Sequence, residues 1–259
     1  GHALNCVYDN SEHPYADLHK NLIARAAVPT LENLAERLRP ELGDKASGIL
    51  ASIDLSVRSL SEAAWRLLKL AATCASNLPI PKALLALAYH PNDPSQAPTR
   101  ELLRVGLLQA LSDDNRVRMH PLVAEASFAL LMVTAEEQEA LREEMAQALR
   151  VRLQDEEARR ASISREDDAE LARELVENLE GEIASTLRFN VAVFYEKCGF
   201  FTRARSMLDQ LEIEDEKKWG ASVFIKLVPR MKKACICKEE GDLAAACKIE
   251  EELLAEIES

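Results

Sequence analysis

The sequence predicts a mainly α fold, and three observations predict it. Glycine (8) and proline (10) are scarce in 259 residues, and aromatics make up only 5%. A β-rich chain of this length needs many tight turns and aromatic or β-branched strand residues. Apolar residues instead recur at helical spacing along most of the chain. Last, a pattern of small residues near the C-terminal end returns at a fixed interval. With 47% apolar and 29% charged residues the chain can bury an ordinary core.

The first 45 residues read as two helical stretches, Asp17 to Ala27 and Thr30 to Leu42, the second with Leu31, Leu34 and Leu38 on one face. Thr30 suits a cap, and Pro40 falls near the end. Residues 43–48 read as a loop, and Ile49 to Val57 as a further helix. Ser61 then caps a helix whose Trp65, Leu68 and Ala72 share a face, before Pro79 and Pro81 break it. Pro81 is expected in the first turn of the next helix, Lys82 to Tyr89, where its missing N–H costs nothing. A polar connector, Pro91 to Pro98, leads to a third short helix, Thr99 to Val105, which Gly106 ends.

The period then changes to alternation. Leu107 to Leu111 and Arg116 to Met119 flank the turn Ser112-Asp113-Asp114-Asn115, which predicts one short hairpin with Val117 and Met119 on the inner face. His120-Pro121 ends the hairpin and opens a closing helix, Leu122 to Leu131. Three helices, a hairpin and a closing helix describe a winged-helix unit.

Two amphipathic helices follow, the first with Leu141, Met145, Leu149 and Leu153 and the second with Leu171, Leu175 and Leu179, around a polar bend from Ser162 to Asp168. Beyond them Ala192, Gly199, Ala204 and Leu211 recur 42 residues later as Ala234, Gly241, Ala246 and Leu253. Each copy reads as helix, glycine turn, helix, with alanines that let the paired helices approach. Pro229 is expected to interrupt the start of the second copy. The domains expected are therefore a helical bundle over 1–58, the winged helix over 59–133, and helical linker plus repeats over 134–259.

Charge and cysteine chemistry limit function. The net charge of −12 divides as −2 over residues 1–59, +1 over 60–132 and −11 over 133–259, so the last half is a poor partner for a polyphosphate backbone. A winged helix can bind DNA through its third helix, which offers Arg100 and Arg104, with Arg116 and Arg118 on the wing. Glu101, Asp113 and Asp114 interleave with these bases, so DNA is the alternative and not the leading expectation. The six cysteines lack paired spacing. Cys74, Cys198 and Cys247 fit apolar helical patterns as small buried hydrophobes, and a cytoplasmic, reducing setting is expected. Cys235 and Cys237 diverge on a helix, and His2, Cys6, His13 and His19 have no ligand spacing, so no metal is expected. The longest fully apolar run, Ala83 to Tyr89, is far short of the roughly 18–20 residues that span a bilayer. Nothing at the N-terminus resembles a signal peptide.

Three segments carry a resemblance. Residues Ile53 to Ser61 (Ile-Asp-Leu-Ser-Val-Arg-Ser-Leu-Ser) resemble the entry to the winged-helix domain of STAND-class signalling ATPases, the NB-ARC group. Arg118-Met119-His120-Pro121-Leu122 resembles the histidine motif that ends that domain's hairpin, in its Met-His-Pro form. Asn190 to Glu196 (Asn-Val-Ala-Val-Phe-Tyr-Glu) with Gly199 and Ala204 resembles a tetratricopeptide repeat of the longer, kinesin-light-chain-like kind. The resemblance covers residues 50–132 and 185–258. It implies a segment of a larger switch protein: a nucleotide-binding domain ahead of the bundle, His120 contacting the β-phosphate of bound ADP in the closed state, and an α-solenoid of repeats that senses a protein or peptide partner. An imidazole beside a helix N-terminus suits phosphate.

The chain itself is expected to be neither an enzyme nor a holder of ADP or ATP. The nearest match to a phosphate-binding loop is Gly43-Asp44-Lys45-Ala46-Ser47-Gly48-Ile49-Leu50. Ile49 and Leu50 stand where a lysine and a hydroxyl residue are needed. From the residues alone His120 reads first as a helix cap or a group hydrogen-bonded within the domain; the resemblance gives the phosphate reading equal weight.

Overall fold

The computed structural model of the protein describes residues 43–74, 77–89, 96–113, 115–154, 164–219 and 223–258, with five further positions between Asn33 and Pro40, all helical. The expected helix from Asp17 to Ala27 lies outside the described residues, as do His2, Cys6, His13, His19 and most of Thr30 to Leu42. The fold is mainly α, with a small antiparallel sheet early in the chain and solenoid-like helix pairs later. Two compact units, Gly1–Ala148 and Leu149–Ser259, divide the chain.

In the first unit a 3-10 turn, Gly43–Lys45, leads straight into helix α1, Ala46–Arg58. The helix begins three residues before the expected Ile49 because Ala46 is buried and anchors the first turn. Leu50, Ala51, Ile53, Leu55 and Val57 are buried along it, and the buried Asp54 carboxylate accepts from Arg58 Nε at 2.9 and 3.0 Å. Helix α2, Glu62–Ala72, is capped by Ser61 Oγ, which accepts from the Ala64 N–H at 3.3 Å. Glu101, forty residues on, completes this cap: its carboxylate accepts the Ser61 N–H at 2.7 Å and the Ser61 hydroxyl at 2.6 Å. It supplies the reciprocal half that a glutamate three residues on gives in a local capping box. Leu68 and Ala72 are buried as expected. Trp65 is 36% exposed, laid over the end of α1 with its Nε1–H donated to the Val57 carbonyl at 2.6 Å.

The sheet has one more strand than the predicted hairpin. Strand β1, Ile80–Pro81, precedes helix α3, Lys82–Tyr89. Helix α4, Ala97–Arg104, starts two residues before the expected Thr99, with Pro98 in its first turn. Strand β2, Gln109–Ala110, and strand β3, Arg116–Arg118, complete the order β1-β3-β2. Ile80 sits opposite Val117, and Gln109 opposite Arg118. Pro81 is therefore an edge-strand residue and not part of the helix, a place where a missing N–H leaves no rung broken. The expected strand from Leu107 is shorter because Gly106, at φ +79°, turns the chain so that Leu107 and Leu108 drop into the core. Val117 and Met119 are fully buried under β3, and helix α5, Pro121–Leu130, follows at once.

Helix α6, Ala135–Gln154, contains the division between the units. Helix α7, Ser164–Glu177, begins inside what reads as a polar bend. Asp168 belongs to this helix and is fully buried, where Arg152 reaches it through Nε at 2.9 and 3.0 Å. Leu149, Leu153, Leu171, Leu175 and Leu179 are buried as their spacing requires. Ser162 lies outside the described residues.

The 42-residue repeat is realised in two helix pairs: α8, Glu182–Lys197, with α9, Phe201–Trp219, and α10, Val223–Glu240, with α11, Leu243–Glu258. Ala192, Ala204, Leu211, Ala234, Ala246 and Leu253 are all buried. Gly199 and Gly241 take φ of +77° and +85°. The turn bonds coincide: Gly199 N donates to Glu196 O as Gly241 N does to Lys238 O, and Phe200 N to Tyr195 O as Asp242 N does to Cys237 O. These are the reverse bonds that terminate a helix at a left-handed residue. Pro229 does not interrupt the second copy. It lies within α10, where it removes one rung of the ladder without ending the helix. Among the cysteines expected to be buried, Cys74 is; Cys198 and Cys247 are exposed. Cys198 falls at the end of α8, beyond its apolar stripe.

An added Cβ at Gly199 or Gly241 would meet nothing within 4 Å, so only backbone strain opposes alanine. Gly199→Ala and Gly241→Ala should each lower stability by about 1 kcal/mol, with equal losses that add in the double variant. Urea unfolding measures this; a loss several times larger at one site would show that the two turns are not equivalent.

Candidate functional site

His120 is the N-cap of α5. Its backbone is extended (φ −75°, ψ 137°), and its Nδ1 accepts the Leu122 N–H at 3.1 Å. Pro121 occupies the first helical position, where no N–H has to be satisfied. The His120 carbonyl takes the Val123 and Ala124 N–H groups at 2.9 and 3.2 Å. With Nδ1 engaged as an acceptor, the neutral ring carries its proton on Nε2. The ring is exposed and lines a pocket of about 640 Å³ with Asn77, Leu103, Gly106, Gln109, Arg118 and Val123 among its walls. Arg118 Nε is buried there and has no hydrogen-bond partner among the described residues. A buried donor left unmade is costly, and it belongs to a residue that lines the pocket beside the imidazole.

The arginines of the DNA alternative are not gathered into one free surface. Arg100 and Arg104 are exposed one turn apart on α4, Arg116 is ion-paired to Asp113, and Arg118 lines the His120 pocket. Glu101, between the two α4 bases, is engaged by Ser61. Asp114 lies outside the described residues. The near match to a phosphate-binding loop falls on the 3-10 turn and the first half of α1, not on a strand-to-helix loop. Cys235 is exposed and Cys237 buried, as two positions on one helix diverge. No helix among the described residues is long and apolar enough to cross a membrane.

A second site lies in the other unit and was not visible in the sequence. A groove of about 620 Å³ runs between α7 and α9 over α8, lined by Glu170, Arg173, Arg188, Tyr195, Arg203 and Ile213 among others. Glu170 is its hub. Its carboxylate accepts from Tyr195 Oη at 2.8 Å, Arg203 Nη1 at 3.0 Å and Arg173 Nε at 3.0 Å. The Arg203 guanidinium also lies 5.8 Å from the Tyr195 ring centre and 5.5 Å from that of Phe200, within cation–π range. Arg188 is buried and donates to the Val176 carbonyl.

Partial burial alone would raise the Glu170 carboxyl, but the Tyr195 hydroxyl and the two guanidiniums outweigh it and hold the group below the ordinary glutamate value. Tyr195 shifts upward, through burial first and the adjacent carboxylate second. The one sequence signal for this site is α9's face, where Arg203, Met207, Gln210 and Ile213 share a stripe too polar for a core. Nothing in the sequence places Glu170, thirty-three residues away, against it.

No protein-family model matches the chain. No curated protein sequence matches it. Among solved structures it is similar to the signal transduction ATPase with numerous domains (STAND) protein with a tetratricopeptide repeat sensor from Pyrococcus horikoshii, at 15% identity and a TM-score of 0.36. That weak likeness covers 94% of this chain, which spans 41% of the other's length.

Because Glu170's pKa is lowered from 4.5, the stability it contributes is present above that value and is lost as pH falls through the lowered one. Glu170→Gln should cost about 1–2 kcal/mol near neutral pH, and its difference from wild type should shrink as pH drops below 4.5. Thermal unfolding across pH measures it; a difference independent of pH would assign Glu170 to packing alone.

Proposed function

We propose that this chain is the regulatory and protein-binding segment of a STAND-type ATPase switch of the NB-ARC group. Residues 59–133 act as its winged helix and the helix pairs after it as tetratricopeptide-like repeats that hold a protein or peptide partner. In this reading the chain is not catalytic. A nucleotide-binding domain elsewhere in the same protein holds ADP or ATP, and the protein works in the cytoplasm.

The observation that carries the reading is the His120 pocket. Nδ1 is committed to the Leu122 N–H, which fixes the ring and leaves Nε2 as its donor. Arg118 Nε is buried in the same pocket without a partner among the described residues. A phosphate oxygen in the pocket would give the His120 Nε2–H and the Arg118 guanidinium a shared acceptor, and a nucleotide's terminal phosphate is the group the histidine motif is expected to meet. Bound ADP would supply that charge; His120 and Arg118 would read it and hold the segment against the nucleotide domain. Loss of that contact on exchange for ATP shifts the population toward an open state in proportion to the differential affinity.

In a protein carrying this segment with a nucleotide-binding domain, His120→Ala should lower retained ADP roughly tenfold, the equivalent of about 1.4 kcal/mol, and raise basal activity. Chromatography of nucleotide released from the purified protein gives the first number. Unchanged occupancy with a lowered melting temperature would make His120 a helix cap and nothing more.

A further inference from the structure

The helix pair α10 and α11 packs on α9 through one side, where Lys233 reaches Asp209 and Glu212. Its far side carries Val228, Met231 and Cys235 of α10 and Leu243, Cys247 and Leu254 of α11, each set at the spacing of one helical stripe. The four larger residues are 49–62% exposed, and both cysteines are exposed. Lys238 of α10 bonds Glu250 of α11 across the pair, and its ammonium lies near both thiols, so the two stripes make one face. We propose that this face pairs with the same face of a second copy of the chain in a symmetric dimer. The inference concerns the repeats alone and does not depend on the nucleotide switch.

The corresponding face one repeat earlier shows what a further helix pair of the same kind would need. There Glu196, Arg205 and Glu212 meet Lys232, Glu240 and Lys233 of α10. Forty-two residues on, the same positions hold Lys238, Cys247 and Leu254. A helix like α10 laid on this face would bring one lysine against Lys238 and the other against Leu254, and its glutamate would meet a thiol. Two charges have become apolar surface and the third has changed sign. The face fits a different body.

A second copy fits by symmetry. Lys238 and Glu250 are about half exposed, so each keeps hydrogen-bonding capacity beyond their mutual bond. A two-fold axis running along the helices lays α10 over α11 of the second copy. Each Lys238 then meets its own Glu250 and that of the second copy, in a ring of four alternating charges. An axis running across the helices at this level would set Lys238 against Lys238 of the second copy. Charge therefore selects the arrangement, and apolar burial supplies the attraction, so the face needs no net charge. In that arrangement Val228 and Met231 lie over Leu254 of the second copy, and Cys235 lies over Cys247 of the second copy.

Size sets the strength of the contact. Helix α11 has 16 residues, about 24 Å of helix, and two helices side by side span about 20 Å. The face is thus roughly 500 Å² per copy and roughly 1,000 Å² in all, at the lower limit for a specific interface. The dimer is a weak, concentration-dependent one. An isologous contact also closes on itself, so association stops at two copies.

Sedimentation velocity of the whole 259-residue chain, from micromolar to millimolar concentration, tests this. A monomer–dimer equilibrium without larger species is expected. Leu254→Ser and Met231→Ser, each acting twice in a symmetric contact, should weaken it roughly tenfold at unchanged melting temperature. Lys238→Glu and Glu250→Lys should each dimerise poorly alone and pair with one another when mixed. Cross-linking fixes the register. In a background of Cys6→Ser and Cys198→Ser, the Cys235→Ser and Cys247→Ser chains treated with a short bismaleimide should give a covalent dimer only as a mixture. A monomer at every concentration, growth beyond the dimer, dimerisation untouched by Leu254→Ser, or a covalent dimer from either cysteine variant alone overturns the proposal. Shielding of Cys235 and Cys247 from maleimide in the dilute monomer would put another part of this chain on the face, and overturns it too.

Discussion

Every helix end in a mostly helical chain exposes backbone groups that need partners, and meeting that need shapes this protein at each of its informative positions. Four N–H and four C=O groups per helix go unpaired unless side chains, turns or water take them. Ser61 Oγ, Thr134 Oγ1, His120 Nδ1 and Asp242 Oδ1 each accept from the first turn of the helix that follows. Gly199 and Gly241 close the other ends with left-handed backbone that L side chains rarely adopt. His120 shows the consequence most clearly. The cap that satisfies α5 also selects the tautomer and orientation of its ring, so a structural requirement sets the chemistry the side chain can offer.

The elements legible in the sequence were those whose signals are local. The repeat at 42 residues was legible because a left-handed glycine turn and close helix contact each demand a small residue at a fixed place, and the bonds at Gly199 and Gly241 coincide accordingly. The hairpin was legible because Val117 and Met119 alternate with arginines. Strand β1 was not, since two residues have no period, and Ile80-Pro81 becomes a strand only because β3 lies beside it. Asp168 reads as surface in a polar run. It is buried because Arg152, from another helix, comes to it. The groove was hidden for the same reason: its hub and its cations are brought together by packing, not by spacing.

Acidity in the second unit is organised. Lys233 of α10 reaches both Asp209 and Glu212 of α9, Lys232 reaches Glu196 of α8, and Arg230 and Lys238 reach Glu252 and Glu250 of α11. Exposed pairs of this kind stabilise little individually. Their effect is on register: a helix shifted by one turn would part each cation from its carboxylate, so the pattern of charge favours the native stacking over a misaligned one. Glu196 is the exception in depth, buried and ion-paired with Lys232, and there removal of the lysine would leave a charge in poor surroundings.

Two charged clusters in this unit contrast in how far they are closed to solvent. Arg152 and Asp168 are closed: the carboxylate is fully buried and meets the guanidinium through Nε and Nη2 at 2.8–3.0 Å. Such a pair has little left to offer a ligand, and its value lies in fixing α7 against α6. Around Glu170 the ratio is reversed, with one carboxylate holding a phenol and two half-exposed guanidiniums. Arg173 is shared between Glu170 and Glu177, so two carboxylates meet the two guanidiniums in one balanced network. It also holds its donors still. A surface arginine with free rotamers loses entropy to any ligand it meets, whereas one already anchored through a single nitrogen keeps its remaining donors aimed. The same residue, Glu170, therefore braces α7 against α9 and fixes the arginines beside it.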